Sequence, residues 1–206
     1  MQLALHSQLV KRNGRLSNCL YICTEDVFPS QRLLQLEQSI KHHNPLLTNH
    51  RFSDHVFVEH ISNKDQLLAA LENKVPKLLA RGLTNLIIID SITAVFRGQD
   101  EQQTISARSK DISAIGVQLH RLATEYHVAV SVSTRCLIVM ADMTGSGESR
   151  NLPALGLTWS NLVTTRLKVR RSHQDSIRQL VVAFAPHLHN NYCEYLITEH
   201  GVVSPG

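Results

Sequence analysis

The chain has 206 residues, of which 43% are hydrophobic and 18% charged, with a formal net charge of +4 and a pI near 9.0. Apolar residues recur in strong blocks, which excludes a disordered chain, and the length supports one sizeable core rather than two. The mild positive balance permits contact with phosphate without demanding it, and no segment approaches the roughly 20 apolar residues of a membrane span.

Residues 2–12 read as an amphipathic helix, with Leu5 and Leu9 four apart and Leu3 and Val10 seven apart. Neither a capping residue nor a strand precedes it, so the start reads as a cut through a larger unit. The segment has no charged leader and no long apolar run, unlike a signal peptide. Asn13-Gly14 marks a turn, and NCLYICT over 18–24 predicts a buried strand. Pro29 opens a helix whose apolar face is Leu33, Leu34, Leu36 and Ile40. The polar, His-rich stretch 41–54 reads as a connection, and 55–61 as a second strand. A helix over 63–73 and a short one over 76–81 follow, with Gly82 as C-cap.

The clearest strand is LTNLIIID at 83–90, where the apolar run Leu86 to Ile89 predicts burial on both faces, as in a parallel sheet. Ile112, Ile115, Leu119 and Leu122 recur at helical spacing within a long helix from Ser106 to Tyr126. Then come a strand at 127–133, the glycine-bearing loop MTGSGESRN, and strands at 161–170, 178–184 and 192–198, the last two as a hairpin. The alternation predicts an α/β fold with a mainly parallel sheet and antiparallel strands extending the C-terminal edge. No internal repeat or second domain is visible.

Cys19 and Cys23 would lie about 13 Å apart in a strand, too far for a disulfide. With Cys136 and Cys193 they read as reduced, structural thiols of an intracellular protein. His42-His43 and the group His187, His189 and Cys193 fit no zinc spacing and read as surface residues.

Two acids are candidates for chemistry. The buried strand LIIID delivers Asp90 to the carboxyl edge of the sheet, where an Asp can orient a magnesium ion and its waters beside a nucleotide. In YICTED, Glu25 lies just past another strand, where a carboxylate can orient or deprotonate an attacking water. Singly, each is matched by a bland reading as a helix cap or loop acid, and Asp26 suits a cap. Together they place two acids on one edge, an arrangement suited to metal-assisted phosphoanhydride hydrolysis. The phosphate-binding pattern G-x-x-x-x-G-K-[ST] occurs nowhere in the chain, so no backbone cradle or phosphate lysine is available from these residues.

The segments LYICTEDVFPSQRLLQL, KVPKLLARGLTNLIIIDSITAVFR and SARSKDISAIGVQLHRLATEYHVAV stand in the order and spacing of RecA-type recombinases. LGLTWSNLVTTRL and FAPHLHNNYCEYLITEHGV resemble the C-terminal end of a recombinase paralogue, so the resemblance covers nearly the whole chain. It implies a RecA-like ATPase core, a nuclear role in homologous recombination and double-strand-break repair, ATP and magnesium as cofactors, and paralogue subunits as partners. DNA, single-stranded or branched, is the implied macromolecular ligand. By resemblance MQLALHSQLV is the helix that follows the phosphate loop. Residues 1–206 then read as one core domain lacking its first strand and that loop. Glu25 would be the water-activating acid, and Asp90 the magnesium-site acid acting through water.

The chain departs from the family pattern after the strand at 127–133, where Thr134 and Arg135 stand in place of Asn-Gln. Arg135 can meet phosphate but cannot act as the amide switch. CLIVMADM is likewise more apolar than the family's DNA loop. Arg97, Arg108, Lys110 and Arg150 are the basic candidates for DNA contact, and a solvated helix start is an equal reading of Arg108 and Lys110. Three functions follow: an ATP-dependent recombination paralogue, a non-catalytic interaction subunit, or an inactive fragment without a stable fold.

Overall fold

The computed structural model describes residues 1–10, 14, 16–25, 27–97, 104–134, 136–139, 150–153, 155–172 and 176–205, with 136–139 and 150–153 as backbone only. Helix α1 spans Gln2–His6, and a 3-10 turn over Ser7–Leu9 ends it. It is shorter than its apolar spacing predicts, and Leu3, Leu9 and Val10 are exposed. The buried face is Ala4, Leu5 and Gln8 instead. Gln8 is a buried polar residue, and its amide donates to Ala4 O at 3.2 Å and Phe52 O at 2.9 Å. Those bonds satisfy the group inside the fold, while Val10 turns to extended backbone.

Strand β1 (Asn18–Cys23) is buried along its whole length. Helix α2 (Ser30–His43) follows Pro29 and ends in Lys41, His42 and His43, which complement its carbonyl end. The connection over 44–55 is less polar in space than in sequence. It folds into 3-10 turns at Pro45–Leu47 and Phe52–His55, and Phe52 is fully buried. Glu37 of α2 fastens this connection by accepting from Ser53 N at 2.9 Å and pairing with Lys41 at 2.6 Å.

Strand β2 (Val56–His60) leads to α3 (Lys64–Ala69), capped by Asn63, whose Oδ1 accepts from Gln66 N at 2.9 Å. The two helices read over 63–81 are one continuous rod, in which a π turn over Ala70–Lys74 joins α3 to α4 (Val75–Leu79). Pro76 has no N–H and crowds the preceding turn of a regular helix, and the wide π turn ahead of it relieves both problems. Gly82, at φ +70°, closes the rod.

Strand β3 (Thr84–Asp90), helix α5 (Ile105–Tyr126, capped by Thr104) and strand β4 (Ala129–Val132) complete the parallel sheet, in the order β2-β1-β3-β4. Period-2 alternation sorts the buried strands onto two layers. Leu20, Ile22, Ile87 and Ile89 pack with Leu67, Leu71, Ile112, Ile115, Leu119 and Leu122. Cys19, Tyr21, Cys23, Leu86 and Ile88 face the other way, against Ala4, Leu5, Leu33, Leu36 and Phe52. Cys19 and Cys23 are not joined in a disulfide. Burial pushes the Cys19 thiol up to about 12, so it packs as a small apolar group.

Beyond this sheet, β5 (Cys136–Val139) and β6 (Arg150–Pro153) pair antiparallel, so the apolar CLIV run is one strand of a two-stranded ribbon. Helix α6 (Gly156–Leu162) takes residues 161 and 162, which the sequence assigns to a strand. It packs on α5 at Gly116, where an added Cβ would sit 2.6 Å from Leu162 Cδ1. The C-terminal antiparallel strands β7 (Arg166–Arg171), β8 (Ile177–Phe184), β9 (Tyr192–Thr198) and β10 (Gly201–Val203) form a sheet of their own, in the order β10-β9-β8-β7. Among the described residues no helix is long and apolar enough to cross a membrane.

Ile87, in the centre of β3, is 0% exposed. Ile87→Ala is expected to cost about 2–5 kcal/mol. The check is a urea titration followed by the emission of Trp159, the chain's single tryptophan and itself part of the core. A lower midpoint with an unchanged slope is the expected result.

Candidate functional site

The acids come together because β1 and β3 are parallel neighbours in a fixed register. Cys23 lies opposite Asp90, and Thr24 N continues the ladder by donating to Asp90 O at 3.0 Å. Both strands therefore end at the same edge, and Glu25 and Asp90 emerge there together. Ser91 links them. Its hydroxyl donates to Glu25 Oε1 at 2.7 Å and lies 2.9 Å from Thr93 Oγ1. Its carbonyl accepts from Thr24 Oγ1 at 2.6 Å. The Asp90-Ser91 peptide is cis.

Asp90 is held from beneath on both oxygens. The buried Tyr21 hydroxyl donates to Oδ2, and Ser133 Oγ donates to Oδ1 at 2.6 Å. Ser133 is placed by its own backbone, whose N–H donates to Ile89 O at 2.9 Å and whose carbonyl accepts from Ile92 N at 3.1 Å. Burial raises the Tyr21 pKa above that of an ordinary phenol, and the hydrogen bond to Asp90 and its charge add to the effect. Helix α1 begins beside this edge. Burial lowers the pKa of the Met1 amine, and the nearby charge of Asp90 partly restores it.

Glu25 accepts a second hydrogen bond at Oε1, from Arg97 Nη2 at 2.9 Å. Arg97 follows the buried 3-10 turn Ala94–Phe96. The Arg108 guanidinium lies 5.8 Å above the Phe96 ring, a cation–π distance, and Lys110 is exposed one turn into α5. Arg150 begins β6. Arg135 and the glycine-bearing loop over 143–149 lie outside the described residues, as does Asp26.

The donor set suits a hydrated magnesium ion. Asp90 is exposed at the edge and, with one hydrogen bond on each oxygen, keeps lone pairs for the waters of such an ion. Among the described residues no three His, Cys, Asp or Glu side chains converge.

Sequence reading placed Glu25 and Asp90 on one edge but missed Tyr21, Thr24, Ser91 and Ser133, and missed that Arg97 pairs with Glu25. Tyr21 was discoverable, because alternation from Cys23 puts it on the face from which Asp90 projects. The Arg97 pairing carries no such signal, since the two residues are 72 positions apart.

A four-stranded parallel sheet flanked by helices, with an acid at the carboxyl end of two neighbouring strands, is a RecA-like α/β arrangement. The Rad51 family profile matches residues 1–205, and the chain belongs to that family. It is 36% identical to the DNA repair protein XRCC3 of Mus musculus, over 98% of this chain and 64% of the mouse protein. It is 35% identical to the XRCC3 of Bos taurus, over 98% of this chain and 63% of that protein. A match at 27% identity to the XRCC3 homolog of Arabidopsis thaliana covers 98% of this chain and 80% of the plant protein. The chain thus spans less than two thirds of the length of its mouse and cattle relatives.

The raised Tyr21 pKa means that the folded chain holds the phenolic proton more tightly than the unfolded one. Its stabilisation is fully present below about pH 10, the ordinary phenol value, and is lost as pH climbs beyond it. An alkaline titration followed by phenolate absorbance checks this. Tyr21→Phe is expected to remove amplitude only from the phase that coincides with unfolding.

Proposed function

We propose that this chain is the core of a recombination protein acting in double-strand-break repair, in which the Asp90–Glu25 edge serves ATP. The observation that carries the reading is the convergence of both acids, through Ser91, on one sheet edge of a Rad51-family chain. Asp90 would hold magnesium through water, and Glu25 would orient the water that attacks the terminal phosphate. Bound magnesium neutralises developing charge on the phosphate oxygens. Arg97, Arg108, Lys110 and Arg150 supply sequence-independent contacts to the DNA backbone, and Arg135 is a further candidate for meeting phosphate. The names of its relatives, DNA repair proteins XRCC3 and RAD51 homolog 2, support a nuclear role and partners among other recombinase paralogues.

A second reading has its own support. The 206 residues hold no G-x-x-x-x-G-K-[ST] loop, and Thr134-Arg135 stands where the family pattern has Asn-Gln. The Thr134-Arg135 replacement favours a non-catalytic subunit that stabilises a partner complex.

Equilibrium binding of a fluorescent ATP analogue with magnesium separates the readings. It would compare this chain with a chimera that carries a phosphate loop ahead of Met1. Binding by the chimera alone is expected, and Asp90→Asn in the chimera should weaken the magnesium-dependent part about tenfold, ~1.4 kcal/mol. Equal binding by both chains would remove the need for the loop. Binding by neither would favour the interaction subunit.

A further inference from the structure

The connection between α2 and β2 carries two stacked histidines. The His50 and His55 rings lie 5.1 Å apart, centre to centre, at an interplanar angle of 17°. Each has one hydrogen fixed by a partner. The Gln8 amide nitrogen already donates to Ala4 O and Phe52 O, so its Oε1 is the acceptor and His50 Nε2 the donor, at 3.3 Å. His55 Nδ1 donates to Asn18 Oδ1 at 2.8 Å. His50 also meets the Phe52 ring edge to face at 4.3 Å. Gln8, Asn18 and Phe52 are all buried. The pair thus fastens the connection to α1 on one side and to β1 on the other. Both rings are half-buried and border a cavity of about 540 Å³, which gives protons a way in.

A further proton can add only at His50 Nδ1 or His55 Nε2. One such proton leaves every bond named above intact. A second sets like charges face to face at 5.1 Å in a half-buried site, which opposes it. The surrounding acids give little relief, because each already has a cation beside it. Glu37 pairs with Lys41 at 2.6 Å and accepts from Ser53 N, and Asp54 lies 4.0 Å from Arg51. Burial is the main cause of a lowered His50 pKa; His55 and Lys41 add to it, and Glu37 and Asp54 oppose it. The folded chain therefore takes up this proton less readily than the unfolded one. The stability it confers is complete above about pH 6.5, the ordinary histidine value, and is lost as pH falls through the lowered one.

We propose that the stacked His50–His55 pair is an acid-released latch, which holds the connection against α1 while at most one ring is charged and lets go when both are. The release carries α1 with it. When the turn leaves, the buried Gln8 amide loses Phe52 O and cannot stay unpaired inside the fold, so Gln8 and Phe52 come free together.

The test uses the whole chain labelled with nitrogen-15 in its histidine rings, with His50 and His55 assigned by their losses in His50→Gln and His55→Gln. The expected result is a coupled titration, in which the two rings charge in steps separated by about one pH unit or more. Hydrogen exchange, corrected for its intrinsic pH dependence, is followed over the same range. Protection of residues 1–9 and 50–56 should fall together at the lower step while β3 stays protected. In His55→Gln the partner charge is gone, so His50 should titrate at a higher pH and protection should persist through that step. Two rings that titrate independently overturn the latch, as does protection of residues 1–9 that is unchanged when both rings are charged. Equal loss of protection in wild type and His55→Gln overturns it too. If His55→Gln does not fold, the wild-type titration and exchange decide between these outcomes by themselves.

Discussion

The carboxyl edge depends on one constraint, the in-register parallel pairing of β1 and β3. These strands are buried on both faces, so every residue has an assigned layer. A slip of one residue would send Ile22 and Ile89 to the α1–α2 side and turn Asp90 toward the apolar layer under α3 and α5. Fully burying a side chain such as Ile stabilises by about 1.5–3 kcal/mol, so a slip that misplaces several of them is strongly opposed. The position of the acids is therefore set by the isoleucines beneath them. Burying a carboxylate without partners would add a further penalty in the same direction.

The same logic explains what the sequence made legible. Strand β3 and helix α5 lie close to where periodicity put them, because local pattern and tertiary environment agree there. The α/β class followed from the alternation, and the two acids followed from where buried strands must end. Legibility fails where a residue's environment is made by distant chain. Gln8 is polar yet fully buried, because Phe52 O accepts from it. Phe52 lies in a polar stretch yet is fully buried beneath α1 and α2. Pro76 signals a helix start in isolation, but the π turn before it keeps the rod continuous. The side-chain partners of Asp90 come from two separate segments, and only Tyr21 leaves a periodic trace.

The C-terminal sheet shows how the ends of the chain are held together. Gln2 makes a reciprocal pair with Val202, donating to its carbonyl at 3.2 Å and accepting from its N–H at 2.6 Å. Arg32 of α2 donates to the carbonyls of Thr198 and Glu199 at 2.6 and 2.7 Å. This close approach requires Gly201, whose φ is +119° and where a Cβ would meet Gln2 Oε1 at 2.6 Å. The turn between β9 and β10 is thus pinned to α1, the helix that starts beside Asp90.

The two acids are held in different ways, and that difference bears on what each can do. Asp90 is gripped by Tyr21, within β1, and by Ser133, one residue past β4 and held by backbone bonds to Ile89 and Ile92. Such preorganisation suits a group that must present a fixed charge to an ion, since nothing need be ordered when the ligand arrives. Glu25 sits one residue beyond the last ladder bond, and its partners include a hydroxyl and a half-exposed guanidinium. Such a group can change partners without disturbing the core. In the proposed ATP-serving role, the acid on the rigid strands would hold the ion and the acid on the more exposed rim would orient water.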